Sequence, residues 1–169
     1  MKNFFSSRQF RHHAGFTLIE ILIAVAIITV IGAIMFLMLL GRRSTADLTS
    51  TTSQIGAILR EAESRSMAQT QGAAWGVHFG NPTNTAPFYA LFYTAYSSST
   101  TAAYYRLPTT VGYVASSVPQ GGSLDVLFSQ ITGSASVSTT INIYILNPQK
   151  NLLSTSSLIS VASSGAISY

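Results

Sequence analysis

Residues Phe16 to Leu40 form an apolar run of 25 positions, interrupted only by Thr17, Glu20, Thr29 and Gly32. The hydrocarbon core of a bilayer is crossed by about 20 apolar residues of helix. The run is therefore long enough to span a membrane, and a soluble core helix would rarely carry so little polar surface over such a length. A secretory signal has a shorter apolar core, about 7–15 residues. Ser44 and Ala46 still supply a small-x-small pattern after the run, so removal as an ordinary signal peptide is one alternative. A plain single-pass anchor is another.

The chain has 169 residues, of which 8% are charged and 47% hydrophobic. That length holds one globular domain and an anchor. Three of the nine cationic residues, Lys2, Arg8 and Arg11, lie in the first fifteen positions. This basic leader favours a cytoplasmic N-terminus, although Arg42 and Arg43 on the far side of the run reduce the asymmetry. The rest of the chain carries six Lys or Arg against five Asp or Glu. A pI of 9.6 thus reflects the leader and does not announce a nucleic-acid surface. The absence of cysteine excludes disulfides and Cys-ligated zinc.

Glu20 is the odd residue of the run. A carboxylate at mid-membrane costs about 2.5–3.5 kcal/mol, less near the interface, and is kept mainly where it finds a partner. If the chain is cut after Gly15, Phe16 becomes a free amino terminus four residues before Glu20, one helical turn away on the same face. The new ammonium and the carboxylate could then pair, within one chain or between neighbours. The alternative is a lone Glu reaching back to the interface.

The stretch Gly15-Phe16-Thr17-Leu18-Ile19-Glu20-Ile21-Leu22-Ile23-Ala24 resembles the processing and methylation site of type IV prepilins and pseudopilins. The resemblance implies cleavage between Gly15 and Phe16 by a membrane prepilin peptidase, and methylation of the Phe16 amine by the same enzyme. It implies that the apolar run is retained, and that Glu20 pairs with the Phe16 amine of an adjacent subunit during filament assembly. Residues 1–15 would be the leader and Phe16 to Tyr169 the mature chain. One departure stands out: many major pilins carry a proline in the membrane half of this helix, and none lies between Phe16 and Ala68 here.

Beyond Arg43 the helix pattern continues in amphipathic form. Leu48, Thr52, Ile55, Leu59, Ala62 and Ser66 recur at spacings of four and three, one face of a helix. Glu61 and Arg65 sit at i and i+4 in the favoured order. The pattern predicts a membrane-spanning half over residues 16–40 and an amphipathic half over 41–71, with Gly72 as its stop. At 1.5 Å per residue such a helix is roughly 80 Å long. Arg60 to Arg65 read first as a solvated face. Leu59-Arg60-Glu61-Ala62-Glu63-Ser64-Arg65 followed by the Trp75 strand also resembles, more loosely, the H-type minor pseudopilins of type II secretion and their pilus counterparts.

Residues 72–169 read as strand and turn. Trp75, Val77 and Phe79 alternate, and Asn81-Pro82 forms a turn. Further strand signals are Phe88–Tyr96, Tyr104–Leu107, Thr110–Ala115, Leu124–Phe128, Val137–Leu146 ended by Asn147-Pro148, Leu158–Ala162 and Ala166–Ser168. The expectation is an α+β, pilin-like fold: a long N-terminal helix whose outer half packs on a small antiparallel β-sheet head. The run Ser97-Ser98-Ser99-Thr100-Thr101 favours turns and offers acceptors for O-linked sugars.

Reactive chemistry is absent from the pattern. His12 and His13 lie in the leader, which leaves His78 as the one histidine of the expected mature chain; it reads as a strand-face residue. A metal site needs several ligands, and Asp125, Glu61 and Glu63 would have to be brought to His78 by the fold. No nucleophile elbow or phosphate loop appears. We therefore expect no enzyme activity, catalytic residue, metal or cofactor. Tyr104, Tyr105 and Arg106 could form a small stacking and phosphate site. Arg106 and Lys150 are the only Lys or Arg after Gly72, so nucleic acid is a disfavoured partner.

These features point to a structural subunit, a minor pilin or pseudopilin. It would be a single-pass inner-membrane protein with the N-terminus inside and the head extracytoplasmic, later part of a type IV pilus or a type II secretion pseudopilus. Its partners would be a prepilin peptidase, the inner membrane, and other subunits through the N-terminal helix. The rival readings are a membrane-anchored binding module with no filament role and a DNA-uptake minor pilin.

Overall fold

The computed structural model describes residues 16–146 and 155–169, and of residues 37–42 the backbone alone. The leader, Asn147-Pro148 and Lys150 lie outside the described residues. The chain divides into two compact units, residues 1–40 and 41–169, taken here in turn.

In the first unit the helix α1 begins; its full span is Leu18–Met67. Leu18–Phe36 is apolar and long enough to cross a membrane by length and composition, with none of it buried within the chain. Its one hydroxyl is satisfied locally: Thr29 Oγ1 donates to the Ala26 carbonyl at 2.8 Å. An apolar helix with no covering partner among the described residues is suited to lipid or to other helices around it.

In the second unit the rest of α1 is amphipathic. Leu48, Thr52, Ile55, Leu59, Ala62 and Ser66 are all buried, as the spacing predicts, and Thr51, Gly56 and Ile58 join the same face. The buried Thr52 hydroxyl is satisfied by the Leu48 carbonyl at 2.8 Å. The helix stops at Met67, four residues before the expected end. Gln69 takes the left-handed conformation (φ 52°), and a short 3-10 turn over Thr70–Gly72 follows. The early stop has a specific cause. The Ser66 hydroxyl accepts from Trp75 N–H at 2.6 Å and donates to the Phe128 carbonyl at 3.0 Å, which pins the last helical turn to two strands.

Eight strands follow. They are β1 (Trp75–Gly80), β2 (Phe88–Tyr93), β3 (Thr101–Arg106), β4 (Val111–Tyr113), β5 (Ser123–Phe128), β6 (Thr139–Ile145), β7 (Ser156–Val161) and β8 (Ile167–Ser168). They divide between two antiparallel four-stranded sheets, ordered β3-β2-β1-β5 and β4-β6-β7-β8. Trp75, Val77 and Phe79 of β1 point inward with Tyr89, Leu91, Val126 and Phe128. From the second sheet come Tyr113, Ile141, Ile143, Ile145, Ile159 and Val161, and all of these share one core with the helix stripe. The fold is pilin-like α+β, the amphipathic helix packing on antiparallel sheets.

β1 is buried on both faces. On its outward face Gly80 is paired with Phe88, whose ring occupies the space a side chain on Gly80 would need. Burial, reinforced by neighbouring Tyr105, pushes the Tyr89 phenol up to about 12, and burial raises Tyr113 well above its ordinary value.

Candidate functional site

The start of α1 is built by Thr17. Its carbonyl accepts the first helical hydrogen bond, from Ile21 N–H at 3.2 Å. Its side-chain Oγ1 accepts from Glu20 N–H at 3.3 Å. Thr17 is thus the N-cap, Phe16 precedes the helix, and Glu20 is the third helical residue. The order Phe16-Thr17-x-x-Glu20-Ile21 matches a capping box flanked by the two apolar positions of a hydrophobic staple. That signal was present in the sequence, and the membrane reading of Glu20 passed over it.

The cap changes the geometry expected for the pair. Phe16 lies outside the helix in this uncut chain, so it does not share a helical face with Glu20. No hydrogen bond or ion pair joins the two among the described residues. Both are exposed, Phe16 at 78%. Gly15 lies outside the described residues.

The electrostatics of this end are simple. The first turn of a helix carries unpaired N–H groups and about half a positive charge. An anion there is stabilised and a cation is repelled. Glu20 is the acidic residue of that turn. An ammonium created at Phe16, one residue before the cap, would meet the positive end of the helix and would need a carboxylate to hold it. Glu20 is exposed and is not joined to Phe16 among the described residues.

Residues 10–36 match the family model described as the prokaryotic N-terminal methylation motif. The chain carries a type IV prepilin-like N-terminus. The match runs through Gly15, Phe16 and Glu20 and ends within the apolar half of α1. Comparison with the curated proteins and with the solved structures returned no match.

His78 sits on the outward face of β1 and is 7% exposed. Its Nδ1 meets Asp125 Oδ1 at 2.5 Å, and the Tyr96 ring stacks on it with centroids 3.6 Å apart. It is a strand-face residue fixed by two partners, as the alternation implies. Glu61 and Glu63 are not brought to it. Glu61 pairs with Arg65 at 2.5 Å, and Arg65 also lies 4.6 Å from the Trp75 ring centroid. No group of three or more His, Cys, Asp or Glu able to hold a metal occurs among the described residues.

The structure separates the residues of the suggested nucleic-acid site. Tyr104 stacks on Phe88, on the outward face of the first sheet. Tyr105 stacks on Tyr89, whose ring belongs to the core. Alternation along β3 places Arg106 with Tyr104 and away from Tyr105, so two tyrosines and a cation do not form one stacking groove.

Proposed function

We propose that the chain is a structural subunit, a minor pilin or pseudopilin, that joins a type IV pilus or a type II secretion pseudopilus. A prepilin peptidase cuts between Gly15 and Phe16 on the cytoplasmic side and methylates the Phe16 amine. The apolar half of α1 stays in the inner membrane with the head outside, and then packs among the helices of other subunits. Glu20 pairs with the Phe16 amine of a neighbour and sets the register.

The observation that carries this reading is the match over residues 10–36. Support comes from the helix that begins within the match, whose Leu18–Phe36 segment is uncovered among the described residues. The absence of proline from Phe16 to Ala68 and the Leu59–Arg65 segment before Trp75 favour a minor subunit of the H-type over a major pilin.

The test is intact mass with N-terminal sequencing after co-expression with a prepilin peptidase. The expected chain begins at N-methylated Phe16. A chain beginning at Met1 would reduce the protein to an anchored module, and one beginning near Asp47 would make the run an ordinary signal peptide. Glu20→Leu should abolish incorporation into filaments; normal incorporation would show the helix to be a tether only.

A further inference from the structure

An edge strand carries backbone groups with no partner, and these form a template for another chain unless the edge is short or covered. The two sheets of the head end in β3, β5, β4 and β8. β4 is three residues long and β8 two. β5 is closed over its second half: Leu127 N–H donates to Ser136 Oγ at 3.1 Å, and the Leu127 carbonyl accepts from Ser136 N–H at 2.7 Å. β3 is six residues long, and no described strand lies on its far side.

The register shows which groups of β3 are open. Leu107 N–H donates to the Pro87 carbonyl at 2.9 Å. Ala103, Tyr105 and Leu107 therefore turn their backbone bonds toward β2, and Tyr104 and Arg106 turn theirs to the free edge. Ala102 is skipped where the register shifts between Leu91 and Phe92, and the extra residue of such a bulge is left unpaired. Ala102, Tyr104 and Arg106 are all exposed, and no described residue bonds to their backbone across the free edge.

The segment Ala102-Ala103-Tyr104-Tyr105-Arg106 is complementary to itself read backwards. Antiparallel pairing about Tyr104 sets Tyr104 against Tyr104 of the second copy, Tyr105 against Ala103, and Arg106 against Ala102. Each large side chain meets an alanine or, at the centre, a ring, and aromatic cross-strand pairs are favourable. Tyr105, 40% exposed in the single chain, gains cover. The open residues fall into hydrogen-bonded pairs, at which both N–H···O bonds are exchanged. The charges do not oppose this register. Four residues of strand separate the two Arg106 side chains, about 13 Å, which exceeds the Debye length of about 8 Å at physiological salt. Asp125 lies on β5, at the opposite edge of the same sheet. An unrelated strand would have to bring small residues to the same two positions; a second copy brings them by its own sequence.

We propose that β3 pairs antiparallel with β3 of a second copy of this chain, about a two-fold axis at Tyr104, so that the first sheets of two heads join into one. Such a contact is isologous and closes on itself. It goes beyond the filament reading, and the pairing does not depend on that reading.

The experiment uses the full chain purified in detergent. Because the chain has no cysteine, Tyr104→Cys places a single thiol on the axis. Hydrogen-bonded cross-strand positions lie about 5.5 Å apart, within disulfide reach, so oxidation should give a dimer and nothing larger. Ser123→Cys, exposed on the opposite edge, should remain monomeric. Ala102→Glu sets a carboxylate opposite Arg106 of the other copy, twice by symmetry, and should tighten dimerisation in sedimentation by about fivefold. Ala102→Arg sets like charges there and should weaken it by a similar factor. No dimer from Tyr104→Cys, an equal dimer from Ser123→Cys, or shifts of the same sign from Ala102→Glu and Ala102→Arg overturns the proposal. A thiol cross-link from Tyr104→Cys in membranes to a different protein, without the dimer, overturns it too. Processing at Phe16 is scored separately on the same chain. A processed chain without the dimer leaves the filament reading standing, and an unprocessed chain that dimerises with these signs leaves the pairing standing without it.

Discussion

The ring of Tyr169 occupies the space that a side chain on Gly56 would need. Arg60, one turn further along α1, holds that ring from above: its guanidinium lies 4.9 Å from the ring centroid, and its Nη1 donates to the phenol oxygen at 2.8 Å. The glycine that weakens the helix as an isolated element is thus a seat for a distant residue. Gly56→Ala should destabilise the head by about 1–3 kcal/mol through overpacking. In a Tyr169→Ala background the same change should stabilise by up to about 1 kcal/mol, the helix-propensity difference. Denaturation of the four chains as a double-mutant cycle checks the reversal of sign, and equal effects in both backgrounds would show that the ring does not depend on the glycine.

Ser66 ties three elements together through one buried hydroxyl. Ser66→Ala leaves the Trp75 amide and the Phe128 carbonyl without that oxygen, and a buried group left unpaired costs about 1–3 kcal/mol. The exposed Ser64→Ala should change stability by less than about 0.5 kcal/mol. Chemical denaturation followed by Trp75 fluorescence reads both, and similar midpoints would refute the role given to the hydroxyl.

The N-cap predicts a local effect distinct from processing. Thr17→Ala should weaken the first turn by about 0.5–2 kcal/mol and speed amide exchange at Glu20 and Ile21. Thr17→Ser keeps the oxygen and should retain most of the protection. Equal exchange in all three chains would mean that Thr17 Oγ1 is not the cap.

Alkaline pH should unfold the head through its buried phenols. Unfolded tyrosines ionise near pH 10, whereas Tyr89 in the fold is held up to about 12 and Tyr113 is also raised. Between these values the unfolded chain has lost protons that the folded chain keeps, so stability falls as pH rises from about 10 toward 12. Tyr113→Phe should make the decline shallower, although it also removes the hydroxyl bond to the Phe88 carbonyl at 3.0 Å. Phenolate absorbance alongside denaturation midpoints tests this; a midpoint that stays flat over that range would contradict it.

Much of the fold was legible because it rests on periodicity. Leu48 to Ser66 show their face through spacing alone, and Trp75, Val77 and Phe79 show theirs through alternation. Alternation gives no partner, however, so the division of eight strands into two sheets was not readable. The helix end was misplaced because Gly72 is the better stop by residue type, while the stop in fact follows from Ser66 reaching Phe128, far along the chain. At the candidate site the motif from Gly15 to Glu20 was plain, and the cap at Thr17 was overlooked because the residue was counted as an interruption of the apolar run. Gly56 gives no sign of its role in the sequence, because its ring partner is 113 positions away (Gly56 to Tyr169).

The contacts that complete the helix's apolar stripe are remote in sequence: Ser66 bonds Phe128 at a separation of 62 residues, and Arg60 bonds Tyr169 at 109. A chain made N-terminus first therefore produces its amphipathic helix long before the strands that cover it. During that interval the stripe from Leu48 to Ala62 is bare, with an even more apolar segment just behind it. Topology of this kind folds slowly and exposes sticky surface to its neighbours while it waits. Under the function proposed above, a bilayer that takes up the apolar segment from the outset separates the two greasy stretches, which would make the membrane a folding aid before it is a platform for assembly.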